Sequence, residues 1–117
     1  MTSEPEGSEV ALAPLTLERR GTATQPVIVA RGEIDVATSP ILRSELTSAL
    51  ALQPRELTLD LRDVSFVDSS GLGVMVGALK RLREAGGQRF AVVELQDSVR
   101  KVFDITGLDA LFDLGDR

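Results

Sequence analysis

The chain has 117 residues, 43% hydrophobic and 26% charged, with a formal net charge of -5, which fits one domain around one core. It contains neither Cys nor His, so thiolate catalysis, His-based triads and Cys or His metal centres are excluded, and no metal site or cofactor is expected. The acidic balance, with four Phe and no Trp or Tyr, also argues against a direct nucleic-acid surface, which needs a basic field and stacking rings.

Residues 1–14 carry Glu4, Glu6 and Glu9 among Ser, Pro and Gly, with no Lys or Arg, and predict a flexible tail. The start lacks the basic and apolar segments of a signal peptide. The longest unbroken apolar and glycine run, Gly71 to Leu79, is far short of a membrane span, so a cytoplasmic protein with no membrane contact is expected. One domain covers 15–117.

Leu15 to Arg19 alternates as a half-buried strand should, Gly21 to Pro26 reads as a turn, and Val27 to Ala30 as a more buried strand, giving an amino-terminal hairpin. After Gly32-Glu33-Ile34-Asp35 the chain passes Thr38 or Ser39 as a cap and Pro40 in the first turn of a helix. Leu42, Leu46, Ala49 and Leu50 form the core-facing stripe of that helix. Leu57, Leu59 and Leu61 alternate in a third strand, and Arg62-Asp63 is read as a bend.

Asp68-Ser69-Ser70-Gly71-Leu72-Gly73 follows the apolar run Val64 to Val67, where a buried strand gives way to a helix. Either serine can act as N-cap there. From Ser70 to Ala85, Leu72, Met75, Val76, Leu79 and Leu82 share one arc of the helical wheel. The opposite arc carries Ser70, Gly73, Val74, Gly77 and Arg81. Two mid-helix glycines cost about 1 kcal/mol each relative to Ala, which suggests that something approaches this outer face closely, so it is read as a docking face. Gly86-Gly87 ends the helix.

Phe90 to Leu95 reads as the next strand, and Asp97 or Ser98 as the cap of a short helix ended by Gly107 in a left-handed cap, with Leu108 packing back. Leu111 to Leu114 is expected to be a last strand. The alternation implies an α/β fold: a mixed sheet of about five strands with helices packed mainly on one face.

Three chemistries compete at 68–77. A serine nucleophile lacks a base, with no His in the chain and no lysine close by, so a hydrolase is set aside and no enzyme is expected. Gly71-x-Gly73-x-x-x-Gly77 after a strand, with Glu94 further on, mimics a dinucleotide fingerprint, but Asp68 would oppose the pyrophosphate. The third is a phosphorylation switch at Ser69, where helix N-H groups would receive the phosphate and the added charge beside Asp68 would disfavour docking.

Phe66 to Gly73, together with Gly32-Glu33-Ile34-Asp35 and Val102-Phe103-Asp104-Ile105-Thr106-Gly107-Leu108, closely resembles the anti-sigma factor antagonists of the STAS domain family. That resemblance implies a regulator that binds an anti-sigma factor with serine kinase activity and thereby frees a sigma factor. The kinase would modify Ser69 and release the antagonist, and a serine phosphatase would reset it. Asp68 would help present Ser69, while Ser70, Gly71 and Gly73 would shape the helix start. Asp35 would be a surface acid near the site, its alternative role being to cap the Thr38 region. A STAS scaffold or sensor module in a pathway without a sigma factor, and a small nucleotide-binding protein, stand as other readings. Family members usually continue into one more amphipathic helix, whereas this sequence stops at Gly115-Asp116-Arg117. If that helix is missing, part of the sheet or a neighbouring helix would be more exposed and pairing between copies easier, and a monomer or weak dimer is expected.

Overall fold

A computed structural model of the chain describes residues 14–115; the tail expected over 1–14 lies outside them, apart from Pro14. Two strands open the fold, β1 (Leu15–Gly21) and β2 (Pro26–Ile34), paired antiparallel from Leu15↔Gly32 to Gly21↔Pro26. This is the expected hairpin, with a tighter turn at residues 22–25. Pro14 is tied to it, because its carbonyl accepts from the Glu33 amide at 2.9 Å. Gly32 makes that approach possible: its φ is +126°, and a side chain there would run into the Pro14 carbonyl.

Helix α1 (Ser39–Leu50) follows, with Pro in its first turn. Its Leu42, Leu46, Ala49 and Leu50 are buried, as the spacing predicts. β3 (Glu56–Val67) is a single strand of 12 residues, so Arg62-Asp63 does not end it. Instead the parallel pairing with β2 slips twice, between Val29/Arg31 and between Gly32/Glu33, each slip placing one extra residue on β3. Such bulges bend a strand without breaking it. The ladder recovers at Ile34↔Val67, which brings the ends of β2 and β3 side by side.

Helix α2 (Ser69–Glu84) leads to β4 (Arg89–Val93), which pairs parallel with β3 from Glu56↔Arg89 to Asp60↔Val93. The sheet order is β1-β2-β3-β4. Helix α3 (Asp97–Thr106) then packs against β3, and Gly107 closes it in the left-handed conformation at φ 78°. Its N-cap position is Gln96 rather than Asp97 or Ser98; the Gln96 amide instead donates to the Arg62 carbonyl at 2.9 Å. A 3-10 turn, Leu108–Ala110, comes next.

The expected fifth strand is reduced to one parallel bridge, Ala91↔Asp113, held by Val92 N-H to Asp113 O at 2.8 Å and Asp113 N-H to Phe90 O at 3.1 Å. Among the described residues the sheet therefore has four strands. Phe112 fixes this short segment, edge-to-face with Phe90 (centroids 5.1 Å) and with Phe103 (5.9 Å). One apolar cluster joins the helix stripes to Ile28, Leu57, Leu59, Leu61, Phe90 and Val92 on the covered face. The other face carries ion pairs, among them Arg20 with Glu18 and Arg89 with Asp113 and Glu56.

Candidate functional site

The carboxyl ends of β2 and β3 create the site. The Asp68 amide donates to the Ile34 carbonyl at 3.1 Å, which keeps Asp68 extended (φ -108°, ψ -173°) while the next residue is already helical. Asp68 is therefore the N-cap of α2, and neither serine is. Its Oδ1 accepts from the Ser70 amide at 2.9 Å, from the Gly71 amide at 3.4 Å and from the Ser70 hydroxyl at 2.5 Å. Its backbone carbonyl takes the Leu72 amide at 3.1 Å. The Ser70 hydroxyl bond is the largest cause that holds the Asp68 carboxyl below the usual aspartate range; partial burial opposes this, and the Gly71, Ser70 and Val36 amides reinforce it. The charge also sits at the positive end of the α2 dipole.

Ser69 is left as the first residue of α2, exposed, with its hydroxyl bonded to no other described residue. The N-H groups expected to receive a phosphate on Ser69 are already engaged by Asp68 at Ser70 and Gly71. A group added to Ser69 would face solvent and lie beside a carboxylate.

The β2–α1 turn forms the neighbouring wall. Asp35 Oδ1 accepts from the Ala37 amide at 2.9 Å and the Thr38 amide at 3.0 Å, so the capping role weighed for Asp35 is present. Thr38 occupies the N-cap position of α1 without capping it. Its buried hydroxyl turns back instead, accepting from Asp35 N-H at 2.9 Å and donating to Glu33 O at 2.8 Å. This network pins the turn and leaves Val36, 75% exposed, projecting from it; Phe66, 47% exposed, lies near the same end of the sheet. The sequence pattern did not single out these two. Their signal was an apolar residue inside a polar turn and a large ring next to a motif aspartate.

Gly71 is buried against the sheet: a Cβ there would sit 2.4 Å from Ile34 Cγ2 and 3.2 Å from Val67 Cγ1. A Cβ at Gly73 or Gly77 would meet nothing within 4 Å among the described residues beyond the adjoining helix backbone, and both line a groove of about 240 Å³ between α1 and α2. Val74, expected on the exposed arc, is 6% exposed and belongs to the core beneath that groove. The reason is that α2 is covered on two sides, by the sheet and by α1, while the wheel reading allowed only for the sheet. All three glycines of the fingerprint mimic lie inside α2, and Asp68 occupies the helix mouth where a pyrophosphate would bind, so the dinucleotide reading loses its geometry.

The sequence over residues 15–117 matches the model of the STAS domain. The chain belongs to the STAS domain family. Among STAS relatives, the anti-sigma-B factor antagonist of Bacillus subtilis (strain 168) is 43% identical over 83 residues, 71% of this chain and 74% of the relative. The crystal structure of an anti-sigma factor antagonist from Mycobacterium paratuberculosis superposes with a TM-score of 0.78 at 30% identity, covering 88% of this chain and 86% of that one. The structure of the anti-sigma factor antagonist SpoIIAA in its unphosphorylated form gives 0.74 at 25%, covering 87% and 90%. Among the described residues of this STAS domain, no helix is long and apolar enough to cross a membrane.

Proposed function

We propose that this STAS domain is an anti-sigma factor antagonist: unmodified, it binds an anti-sigma factor that is also a serine kinase, and phosphorylation of Ser69 releases it. A serine phosphatase restores the binding form. The protein acts in the cytoplasm as a regulatory module without catalysis of its own. The observation that carries this reading is the exposed, unbonded Ser69 hydroxyl held at the first position of a helix whose start is fixed by other groups. The names of the relatives support the same role.

The physical logic is a change of surface without a change of fold. A phosphate brings about -1.5 to -2 charges near neutral pH. Asp68 already saturates the Ser70 and Gly71 amides, so the phosphate cannot disappear into the helix terminus. It stands beside Asp68, with Asp35 on the adjoining turn, and repels or desolvates whatever docks on Val36 and the outer side of α2.

The test is incubation with candidate kinase-type anti-sigma factors and Mg-ATP, read by intact mass. Wild type gains one phosphate and Ser69→Ala gains none. Modification at Ser70 would overturn the site assignment.

A further inference from the structure

Resting on the reading above, we propose that the groove between α1 and α2 receives an acidic stretch of the anti-sigma factor, engaged by Arg43 and Arg81. The groove is lined by these two arginines, by Thr47 and by the bare helix backbone at Gly73 and Gly77. Arg81 donates to the Thr47 hydroxyl at 3.2 Å, which bridges the two helices and orients the guanidinium. A second depression of about 410 Å³ shares Thr47 and Arg81 and continues toward Gln53 and Glu84.

Charge identifies the occupant. Arg19, Arg20, Arg31, Arg62 and Arg89 each pair with a carboxylate of this chain. Arg43 and Arg81 are exposed and pair with none among the described residues. On a chain of net charge -5, α1 and α2 carry four basic residues against two acidic ones, and one of the acids, Glu45, is held by Arg19. Glu84 marks the far end of the furrow, where an acidic segment ceases to be favoured. Two guanidiniums without a carboxylate partner, above a floor of Leu46, Val74, Ala78 and the bare backbone of Gly73 and Gly77, suit carboxylates on a backbone that lies close to α2. Ser69 itself does not line the groove.

The experiment uses the anti-sigma factor that phosphorylates the wild-type protein. Its affinity for unmodified wild type, Arg43→Glu/Arg81→Glu and the charge-matched control Arg55→Glu is measured by calorimetry at low and high salt. Arg55 is exposed and lies outside the groove. The double variant is expected to bind at least about tenfold more weakly and to lose much of the salt dependence, while Arg55→Glu stays within about twofold. Arg43→Gln/Arg81→Gln supplies the same test if charge reversal unsettles the fold. Equal weakening by Arg55→Glu, or no weakening by either double variant, overturns the groove assignment and leaves the Ser69 reading standing. A change in self-association of the chain alone, with affinity for the anti-sigma factor kept, makes a second copy the occupant and also overturns it. Failure of wild type to bind or to be phosphorylated by any candidate overturns both readings.

Discussion

Three glycines in one helix, only one of them required by packing, make a sharp prediction. Gly73 and Gly77 lie inside α2, and beyond the adjoining helix backbone a Cβ at either meets no heavy atom of the described residues within 4 Å. Replacing either with Ala therefore brings no clash, and it recovers the backbone entropy that glycine loses in a helix, about 0.8–1 kcal/mol. For a domain of this size the unfolding entropy near the midpoint is roughly 0.2 kcal/mol per degree, so each variant should melt about 4–5 °C higher. Gly71→Ala should do the opposite: its Cβ would press on Ile34 Cγ2 at 2.4 Å, and overpacking of this kind costs about 1–3 kcal/mol. Scanning calorimetry of the three variants, with urea unfolding to check that the m-value is constant, decides the matter. A lower melting temperature for Gly73→Ala or Gly77→Ala would refute the claim that nothing within the protein needs these positions bare. Bulkier Gly77→Leu should then weaken the anti-sigma factor complex by tenfold or more, because the space it fills belongs to the partner.

Other consequences follow from the same geometry. The Asp68 carboxyl is held low in the folded protein, so its contribution to stability is present above the ordinary aspartate pKa and is lost as pH falls through the lower folded value. Asp68→Asn should accordingly flatten the acid limb of a melting-temperature profile below about pH 4, and an unchanged limb would contradict the assigned cap. Thr38→Val keeps the shape but leaves the Glu33 carbonyl and Asp35 amide without their hydroxyl; a loss of about 1–3 kcal/mol is expected in urea unfolding, with Thr38→Ser close to wild type. Phe112→Ala should cost about 3–5 kcal/mol, because the ring is 5% exposed and packs against Phe90 and Phe103.

Much of this arrangement could be read from residue order, and the exceptions share a cause. Alternation in Leu15–Arg19 and Leu57–Leu61, the stripe Leu42, Leu46, Ala49, Leu50, and Gly107 as a left-handed stop are local patterns, and the fold keeps them. The cap of α2 was expected at Ser69 or Ser70, although Asp68 is equally competent. The choice falls to Asp68 through a nonlocal bond, its amide to Ile34, which is legible only once β2 and β3 are paired. Val74 was misplaced because a helical wheel shows one buried stripe and cannot say that α1 covers a second. Leu111 to Leu114 alternates like a strand, yet only Asp113 reaches Ala91 after the Leu108–Ala110 turn. The same limit applied to the groove arginines: Arg43 and Arg81 are 38 positions apart, and Arg81 meets Thr47 of α1 only across the helix interface.

The account turns on whether one added charge at Ser69 alters docking while the domain stays intact. The most direct measurement takes the enzymatically phosphorylated protein and its unmodified form and compares, for each, the dissociation constant with the anti-sigma factor and the melting temperature. The account predicts an affinity at least about a hundredfold weaker for the phosphorylated form, through repulsion and desolvation at the interface, with melting temperatures within about 2 °C. Equal affinities, or a phosphorylated domain that melts many degrees lower, would contradict it.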